Sequence, residues 1–344
     1  MSRRLSRGLA ISFALAALLL AAWWMTAAAA DVKILKISCV APQGNSGYKA
    51  IDDAGHEIEQ LTQGRVKIQI YPGGTMGNDS AVLRKMKINQ LQGSTFSAGG
   101  ISEVYRDFQI MSLPMLFRNY EEVDHVRPQL FPILAQNLEA KGYVPMAITE
   151  VGFAYMMSST PVRSLADLQG KKIWIPENDP ISDTVFKMMG VPPTPRPISD
   201  VLTGLQTGMI NTFANSPVGA VALQWYSKVK YLTNAPLVYT YGTVALSKTA
   251  LAGLSEADRA TVRQVMGKHL DAWDRSIRQE NAAAMQTLQR QGIQLVPVSR
   301  ENLSEMEGVS RRAIDDLVAR KMFSADLIQQ IDSLLAAYRG SKGE

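Results

Sequence analysis

The sequence predicts an α/β protein that is divided into two lobes. Segments with strand periodicity alternate with segments of helical periodicity, and the alternation occurs in two successive blocks. The chain of 344 residues is also about twice as long as a common domain, which leaves room for two hydrophobic cores.

Residues 1–30 have the three-part layout of a secretory signal peptide. Three arginines precede an apolar run over residues 9–24, and four alanines end at Ala30. We expect export to the periplasm by the general secretory route, with cleavage after about Ala30. A retained membrane anchor is the alternative, but the apolar run is shorter than the roughly 20 residues of a bilayer span.

The first block opens with apolar and polar residues that alternate over 32–40, the pattern of a strand. Pro72 and the two glycines after it end a second strand. The predicted elements that follow the first strand are a helix over 46–61, a strand over 66–71, a helix over about 79–89, a short apolar run at 94–98, a helix over 121–141 and a strand over 144–151.

The second block repeats the alternation and ends in helices. Residues 255–291 contain almost no helix breaker apart from Gly267, which predicts one long amphipathic helix, with a kink at Gly267 as the alternative. The other predicted elements are a strand over 172–175, helices over 181–189 and 199–207, a strand over 209–213, an apolar segment over 237–244, and helices over 300–320 and 324–338.

Charge and reactive residues exclude several classes of partner and cofactor. Without the three arginines of the signal segment, 33 basic residues face 31 acidic ones, a net charge of +2 with no basic stripe, so we expect no nucleic-acid partner. The single cysteine, Cys39, lies in an apolar strand and cannot form an intrachain disulfide. The three histidines are far apart in the sequence, so we expect neither a metal site nor a cofactor.

Catalytic motifs are missing from the sequence. No G-x-S-x-G, P-loop, G-x-G-x-x-G or H-E-x-x-H motif occurs, which favours a binding protein over an enzyme. Carboxylate pairs such as Glu57 and Glu59 are typical of a solvated helix face, although a secreted hydrolase with such a pair stays an alternative.

Four short motifs resemble, in order, those of one protein family. They read TQGRVKI at 62–68, YPGGTMG at 71–77, SLADLQGKKI at 164–173 and LQTG at 205–208. Together they resemble the substrate-binding proteins of tripartite ATP-independent periplasmic (TRAP) transporters, of the dicarboxylate-receptor (DctP) type.

The resemblance implies a two-lobed, periplasmic-binding-protein-like α/β fold in which the helix at 255–291 spans both lobes. A small organic solute would bind between the lobes and pass to the membrane permease subunits of the transporter, without ATP. We expect lobe I to comprise residues 31–153 and about 243–283, and lobe II residues 154–242 and about 284–344.

The sequence departs from this family at the expected ligand clamp. Where the family has an arginine after "K-I", this chain has Trp174, and a second arginine is missing after Gly152 and Phe153. A planar guanidinium binds a carboxylate through two hydrogen bonds, so its loss argues against a plain dicarboxylate ligand. The predicted ligand has apolar or aromatic surface, and its predicted contacts are Asn45, Ser97, Phe153, Tyr155, Trp174, Phe213, Asn215, Ser216 and Tyr241.

Two other roles remain open for Trp174. Its indole face would attract a cationic ligand, or the ring packs at the lobe interface while another basic residue binds a carboxylate. A periplasmic partner of a sensor kinase is the alternative function to a transport receptor.

Overall fold

The computed structural model describes residues 32–177 and 179–343, so the predicted signal segment lies outside the described residues. The strands, numbered in chain order, are β1 (Lys33–Ser38), β2 (Val66–Tyr71), β3 (Gly93–Ser97), β4 (Tyr143–Ser158), β5 (Trp174–Pro176), β6 (Thr194–Arg196), β7 (Thr212–Asn215), β8 (Tyr231–Ser247) and β9 (Gln294–Val296). The α-helices are α1 (Ser46–Leu61), α2 (Asp79–Lys87), α3 (Ala98–Ile101), α4 (Tyr120–Ala140), α5 (Pro180–Met188), α6 (Val201–Gln206), α7 (Pro217–Ala222), α8 (Lys248–Ala252), α9 (Glu256–Arg290), α10 (Arg300–Ala319) and α11 (Ala325–Lys342).

A mixed sheet of seven strands forms the centre of the molecule. Its order is β2-β1-β3-β8-β4-β7, with β9 beside β8. Strands β1, β2 and β3 are parallel to one another. Strand β8 is antiparallel to β3 and to β4, and β4 is also antiparallel to β7. Strand β9 is parallel to β8. A second small sheet consists of the parallel strands β5 and β6, and an isolated parallel bridge from Ile173 to Thr212 joins it to β7.

Elements with clear periodicity agree with the sequence-based prediction. The helix at 46–61 and the strand at 66–71 have the predicted bounds. Helix α9 runs without interruption from Glu256 to Arg290, through Gly267, so the predicted long helix is confirmed.

The two longest strands were predicted too short. The strand predicted at 144–151 is part of the 16-residue β4, and the segment at 237–244 is part of the 17-residue β8. Their pairing shifts register at several points, among them between Glu150 and Gly152, and each shift interrupts the regular alternation of side chains. Alternating strands and helices are typical of parallel sheets, but β4 and β8 are antiparallel, and the parallel pairs are those of β1 with β2 and β3, of β5 with β6, and of β8 with β9.

Helices cover both faces of the sheet in the first half of the fold. One face packs α1 and α9 against β1, with Cys39 buried among them and its pKa raised by that burial. The other face packs α2, α4, α10 and α11 against β4 and β8. Two smaller clusters lie around β5 and β7 and form the core of the second half. None of the helices in the described part of the chain is long and apolar enough to cross a membrane.

The C-terminal helices contact elements from both halves of the fold. Arg339 of α11 donates to Glu122 of α4 at 2.7 and 2.9 Å. Arg320, directly after α10, donates to Thr184 of α5 at 2.7 Å. The segment 284–344 therefore bridges the two halves, and its assignment to lobe II stays a prediction.

A buried carboxylate lies at the middle of β4. Glu150 has no exposed surface. Its oxygens accept hydrogen bonds from Arg278 Nε and Nη2, both at 2.9 Å, and from the Tyr239 hydroxyl at 3.0 Å. Arg278 belongs to α9 and Tyr239 to β8, so this carboxylate connects the long helix to both long strands.

The charges around Glu150 extend to helix α4. Arg278 also donates to Asp124 at 2.7 and 2.8 Å, and these bonds, with those to Glu150, raise the pKa of the Arg278 guanidinium above its ordinary value. Asp274 of α9 accepts the backbone N–H of Glu150 at 2.6 Å and pairs with Arg127 of α4 at 2.7 Å. We call Asp124, Arg127, Glu150, Tyr239, Asp274 and Arg278 the Glu150 network.

The network makes the stability of the protein depend strongly on Arg278. In Arg278→Met, the carboxylate of Glu150 stays buried without its main cationic partner, and breaking such a pair costs about 3–5 kcal/mol. Chemical denaturation should show this loss in the free energy of unfolding. Arg311→Met is the matched control, because Arg311 pairs with Asp332 at 3.0 Å on the surface and such pairs contribute about 0–1 kcal/mol. Equal losses in the two variants would contradict this assignment.

Candidate functional site

The carboxyl ends of two groups of parallel strands face each other along β4 and β8. Ser97, at the end of β3, lies opposite Gly242, which pairs with Thr149 of β4. Asn215, at the end of β7, approaches from the opposite direction and pairs with Tyr155. Six residue steps of β4 separate the two points, roughly 20 Å at about 3.3 Å per residue. We call the space above this stretch the gap between the strand ends.

Five helices begin at strand ends that face the gap. Helices α1, α2 and α3 follow β1, β2 and β3, and α5 and α7 follow β5 and β7. Each begins with a side-chain cap, from Asn45, Asn78, Ser97, Asp179 and Ser216 respectively. Ligands of α/β proteins bind at the carboxyl ends of strands, and helix N-termini there favour anions.

On the first side of the gap, Asn45 has a free amide group. Its Oδ1 accepts the backbone N–H of Gly47 at 2.9 Å. Its Nδ2 has no hydrogen-bond partner among the described residues, so it can donate to a solute.

Ser97, Asp79 and Gly100 form a compact group on the same side. Ser97 Oγ accepts the N–H of Gly100 at 2.9 Å and donates to Asp79 Oδ2 at 2.9 Å. A Cβ atom at position 100 would lie 1.7 Å from that carboxylate oxygen, so glycine is required there. Burial raises the pKa of Asp79 to about 6, and the nearby charge of Glu103 adds to the shift.

On the second side, Asn215 is placed like Asn45. Its Oδ1 accepts the N–H of Ser216 at 2.8 Å, and its Nδ2 has no hydrogen-bond partner in the described part of the chain. Ser216 is fully buried and caps α7 through Gly219 N–H at 3.1 Å. A Cβ atom at position 219 would lie 2.5 Å from Asn215 Oδ1, which explains the glycine there.

Trp174 lies inside the second half rather than in the gap. Its ring contacts that of Trp225 at a centroid distance of 5.0 Å, and only 6% of the residue is exposed. The indole Nε1 donates to the backbone oxygen of Arg196 at 2.9 Å. Arg196 itself is exposed and ends β6, next to Pro176 at the end of β5.

Residues 37–321 match the family of bacterial extracellular solute-binding proteins, family 7 (DctP). The chain belongs to this family. The C4-dicarboxylate-binding periplasmic protein DctP of Rhodobacter capsulatus is a relative, 24% identical over 267 residues that cover 77% of this chain and 80% of that protein.

Solved structures of TRAP solute-binding proteins have the same fold. The sugar acid binding protein DctPAm of Advenella mimigardefordensis, in complex with galactonate, has a TM-score of 0.82 at 21% identity and covers 89% of this chain and 99% of that chain. A TRAP periplasmic solute binding protein of Xanthobacter autotrophicus with bound β-D-galacturonate has a TM-score of 0.79 at 20% identity, with coverage of 88% and 99%. The predicted two-lobed α/β class and the TRAP resemblance are therefore confirmed.

The predicted contacts of this family 7 solute-binding protein fall into two sets. Asn45, Ser97, Asn215 and Ser216 lie at or just after strand ends that face the gap, and their contact with a solute stays a prediction. The aromatic residues are largely enclosed. Phe213 has no exposed surface, and Phe153 packs on Tyr120 and Tyr239 at centroid distances of 4.9 and 5.7 Å.

Two tyrosines complete the predicted set. Tyr241 is buried, its hydroxyl donates to the backbone oxygen of Phe108, and its ring stacks on that of Tyr239. Tyr155 is half-buried and pairs with Asn215, so it is the predicted aromatic residue with most access to the gap.

Sequence reasoning missed Asp79 and Arg196. Asp79 was predicted only as the start of a helix, although it follows a strand that ends at Pro72. Arg196 lies in the proline-rich segment PPTPRP at 192–197, in which no strand was predicted.

Two surface grooves lie elsewhere, one between α10 and α11 and one where the connection between these helices meets residues 105–107. Their volumes are about 590 and 480 Å³. In the larger one, Arg311 and Asp332 already pair with each other. The gap is the stronger candidate site because unpartnered amide donors approach it from both sides.

The raised pKa of Asp79 predicts that its charge lowers stability. The folded state holds the proton up to about pH 6 and the unfolded chain only up to about 3.8, so stability falls as pH rises through this window and stays lower above it. Asp79→Asn keeps an acceptor for Ser97 and removes the charge. Thermal unfolding should show a gain of about 1–2 kcal/mol at pH 7.5, allowing for the partial exposure of Asp79.

At pH 4 the same variant should match the wild type closely, because Asp79 is then largely protonated in the folded protein. A variant that is no more stable than the wild type at pH 7.5 would show that the charge of Asp79 does not destabilise the folded protein.

Proposed function

We propose that the protein is the exported receptor of a TRAP-type uptake system, which binds a small organic acid in the gap and delivers it to membrane permease subunits. The observation that carries the proposal is the pair of amide groups on Asn45 and Asn215. They approach the gap from its two sides, and their Nδ2 atoms have no partner among the described residues.

The surroundings of these amides favour acceptor oxygens on the solute. Helix N-termini at the facing strand ends carry partial positive charge, and amide NH₂ groups only donate. Carboxylates and hydroxyls supply the matching acceptors. Relatives with this fold bind galactonate and β-D-galacturonate, which supports a hydroxylated or otherwise functionalised acid as the solute.

A plain dicarboxylate remains the less favoured solute. Tryptophan stands at position 174, where the resemblance to the family implies an arginine. The indole is packed on Trp225, which favours its structural role over direct stacking on the solute. Apolar contact with a solute would instead come from Tyr155 and from Val151, which is 36% exposed on β4.

The family consists of solute receptors, and we propose that this member leaves its solute chemically unchanged. Release to the permease would then require only that the gap reopens.

Binding of acids and their neutral counterparts tests the proposal. Galactonate, galacturonate, benzoate and succinate are compared with galactitol, galactose and benzamide by thermal shift and isothermal titration calorimetry. At least one monocarboxylate should raise the melting temperature, because a ligand at one hundred times its Kd adds about 2.7 kcal/mol. Its neutral counterpart should shift the temperature much less.

Mass spectrometry of the recovered solute separates a receptor from an enzyme. We expect full recovery of the unaltered acid after prolonged incubation. A shift with succinate alone would overturn the preference against dicarboxylates, and consumption of the acid would contradict the receptor function.

A further inference from the structure

Arg196 has a rigidly held backbone. It lies between Pro195 and Pro197, and a residue before proline is confined to extended conformations. Its strand pairs with β5, where Arg196 lies beside Pro176. The carbonyl oxygen of Arg196 also accepts the indole N–H of Trp174 at 2.9 Å. Proline restriction, strand pairing and this side-chain hydrogen bond all fix the position of its Cα atom.

The side chain of Arg196, in contrast, has no partner in residues 32–177 and 179–343. It is exposed, and it forms no hydrogen bond or ion pair with any residue that the structure describes. Some other arginines are paired, such as Arg65 with Asp258 at 2.8 Å and Arg339 with Glu122 at 2.7 Å, whereas Arg300, like Arg196, is exposed and pairs with no residue that the structure describes. Arg196 thus combines a fixed backbone with an available guanidinium.

Arg196 also lies at the correct edge of the fold. Strands β5 and β6 are parallel, and the bridge from Ile173 to Thr212 makes them parallel to β7. The carboxyl ends Pro176, Arg196 and Asn215 therefore lie at one edge, which faces the gap. Arg196 is the only cationic residue in these three strands.

The charges around the gap favour binding of the solute's carboxylate on the side that carries Arg196. Each side of the gap has a capping carboxyl group that would repel an anion, Asp79 on the first side and Asp179 on the second, but the second side also has the guanidinium of Arg196. A carboxylate taken from water needs a cation or several hydrogen bonds, and a guanidinium provides both in one planar group.

We infer that Arg196 binds the carboxylate of the solute and determines the preference for acids, and that Trp174 acts as a positioning residue by holding the Arg196 carbonyl. This inference rests on the proposed function, since it requires an organic acid in the gap. It also explains how a chain with tryptophan at position 174 retains a cation for the solute: the cation is supplied one strand away, and the indole holds that strand in place.

Substitution of Arg196 tests the inference directly. The probes are galacturonate and galactonate with their neutral counterparts galactose and galactitol, together with benzoate and benzamide. Arg196→Gln should weaken binding of the acid roughly 10- to 100-fold, the loss expected for a charged hydrogen bond. Its affinity for the neutral counterpart should stay within about twofold of wild type, and Arg196→Lys should lose less because it keeps the charge.

Two further variants complete the design. Arg300→Gln is the matched control, because Arg300 is exposed and follows β9, which pairs with β8 at Tyr231–Thr233, away from the gap. It should bind the acid like the wild type. Trp174→Phe removes the indole N–H and should weaken acid binding without weakening the neutral counterpart, a difference that a purely structural role would not produce.

The outcomes separate this inference from the proposed function. If wild-type protein binds an acid and Arg196→Gln binds it equally well, Arg196 is not the carboxylate residue, while the receptor function stands. If wild-type protein binds none of the acids, the proposed function fails and the inference fails with it. Unfolding temperatures of Arg196→Gln and Arg196→Lys should equal that of the wild type, because the side chain has no partner to lose in the part of the chain that the structure describes.

Discussion

The fold depends on the pair of long antiparallel strands β4 and β8, which belong to both halves of the molecule. Strands β1–β3 extend the sheet from one end of this pair, and β7 with β5 and β6 extends it from the other. Because the two groups run in opposite directions, their carboxyl ends face each other. The position of the site therefore follows from the direction of the strands before any side chain is considered.

The middle of this strand pair is stabilised by charge rather than by apolar packing alone. Glu150 is fully buried where the register of β4 and β8 shifts, and α9 supplies Arg278 and Asp274 to its side chain and backbone. The long helix is thus connected to the one stretch that both halves share. A buried ion pair adds little net stability, because both charges lose their hydration. Removing one partner is nevertheless costly, because it leaves the other charge buried and unpaired. The Glu150 network therefore requires α4, α9, β4 and β8 to keep their relative positions.

The sequence predicted well those features that local periodicity determines. The bounds of α1 and β2 and the continuity of α9 follow from side-chain patterns within one segment. The length and direction of β4 and β8 do not, because bulges interrupt the alternation and their partners are about ninety residues away, as for Glu150 and Tyr241. Asn45, Ser97, Asn215 and Ser216 lie at or just after strand ends, and their contact with the solute stays a prediction.

The aromatic residues show the limit of such reasoning. Trp174, Phe213 and Tyr241 have the residue types of a ligand pocket, yet an aromatic side chain on a strand serves a core equally well, and only the packing distinguishes the two. Arg196 was missed for the opposite reason, since prolines on both sides obscured an edge strand.

Hydrogen–deuterium exchange with and without a bound acid tests most directly whether the solute lies between the facing strand ends. We expect slower exchange in peptides from both sides, over residues 41–47 and 72–79 on one side and 198–203 on the other, with little change in α10 and α11. Protection confined to the grooves on α10 and α11, or to one side of the gap only, would contradict it.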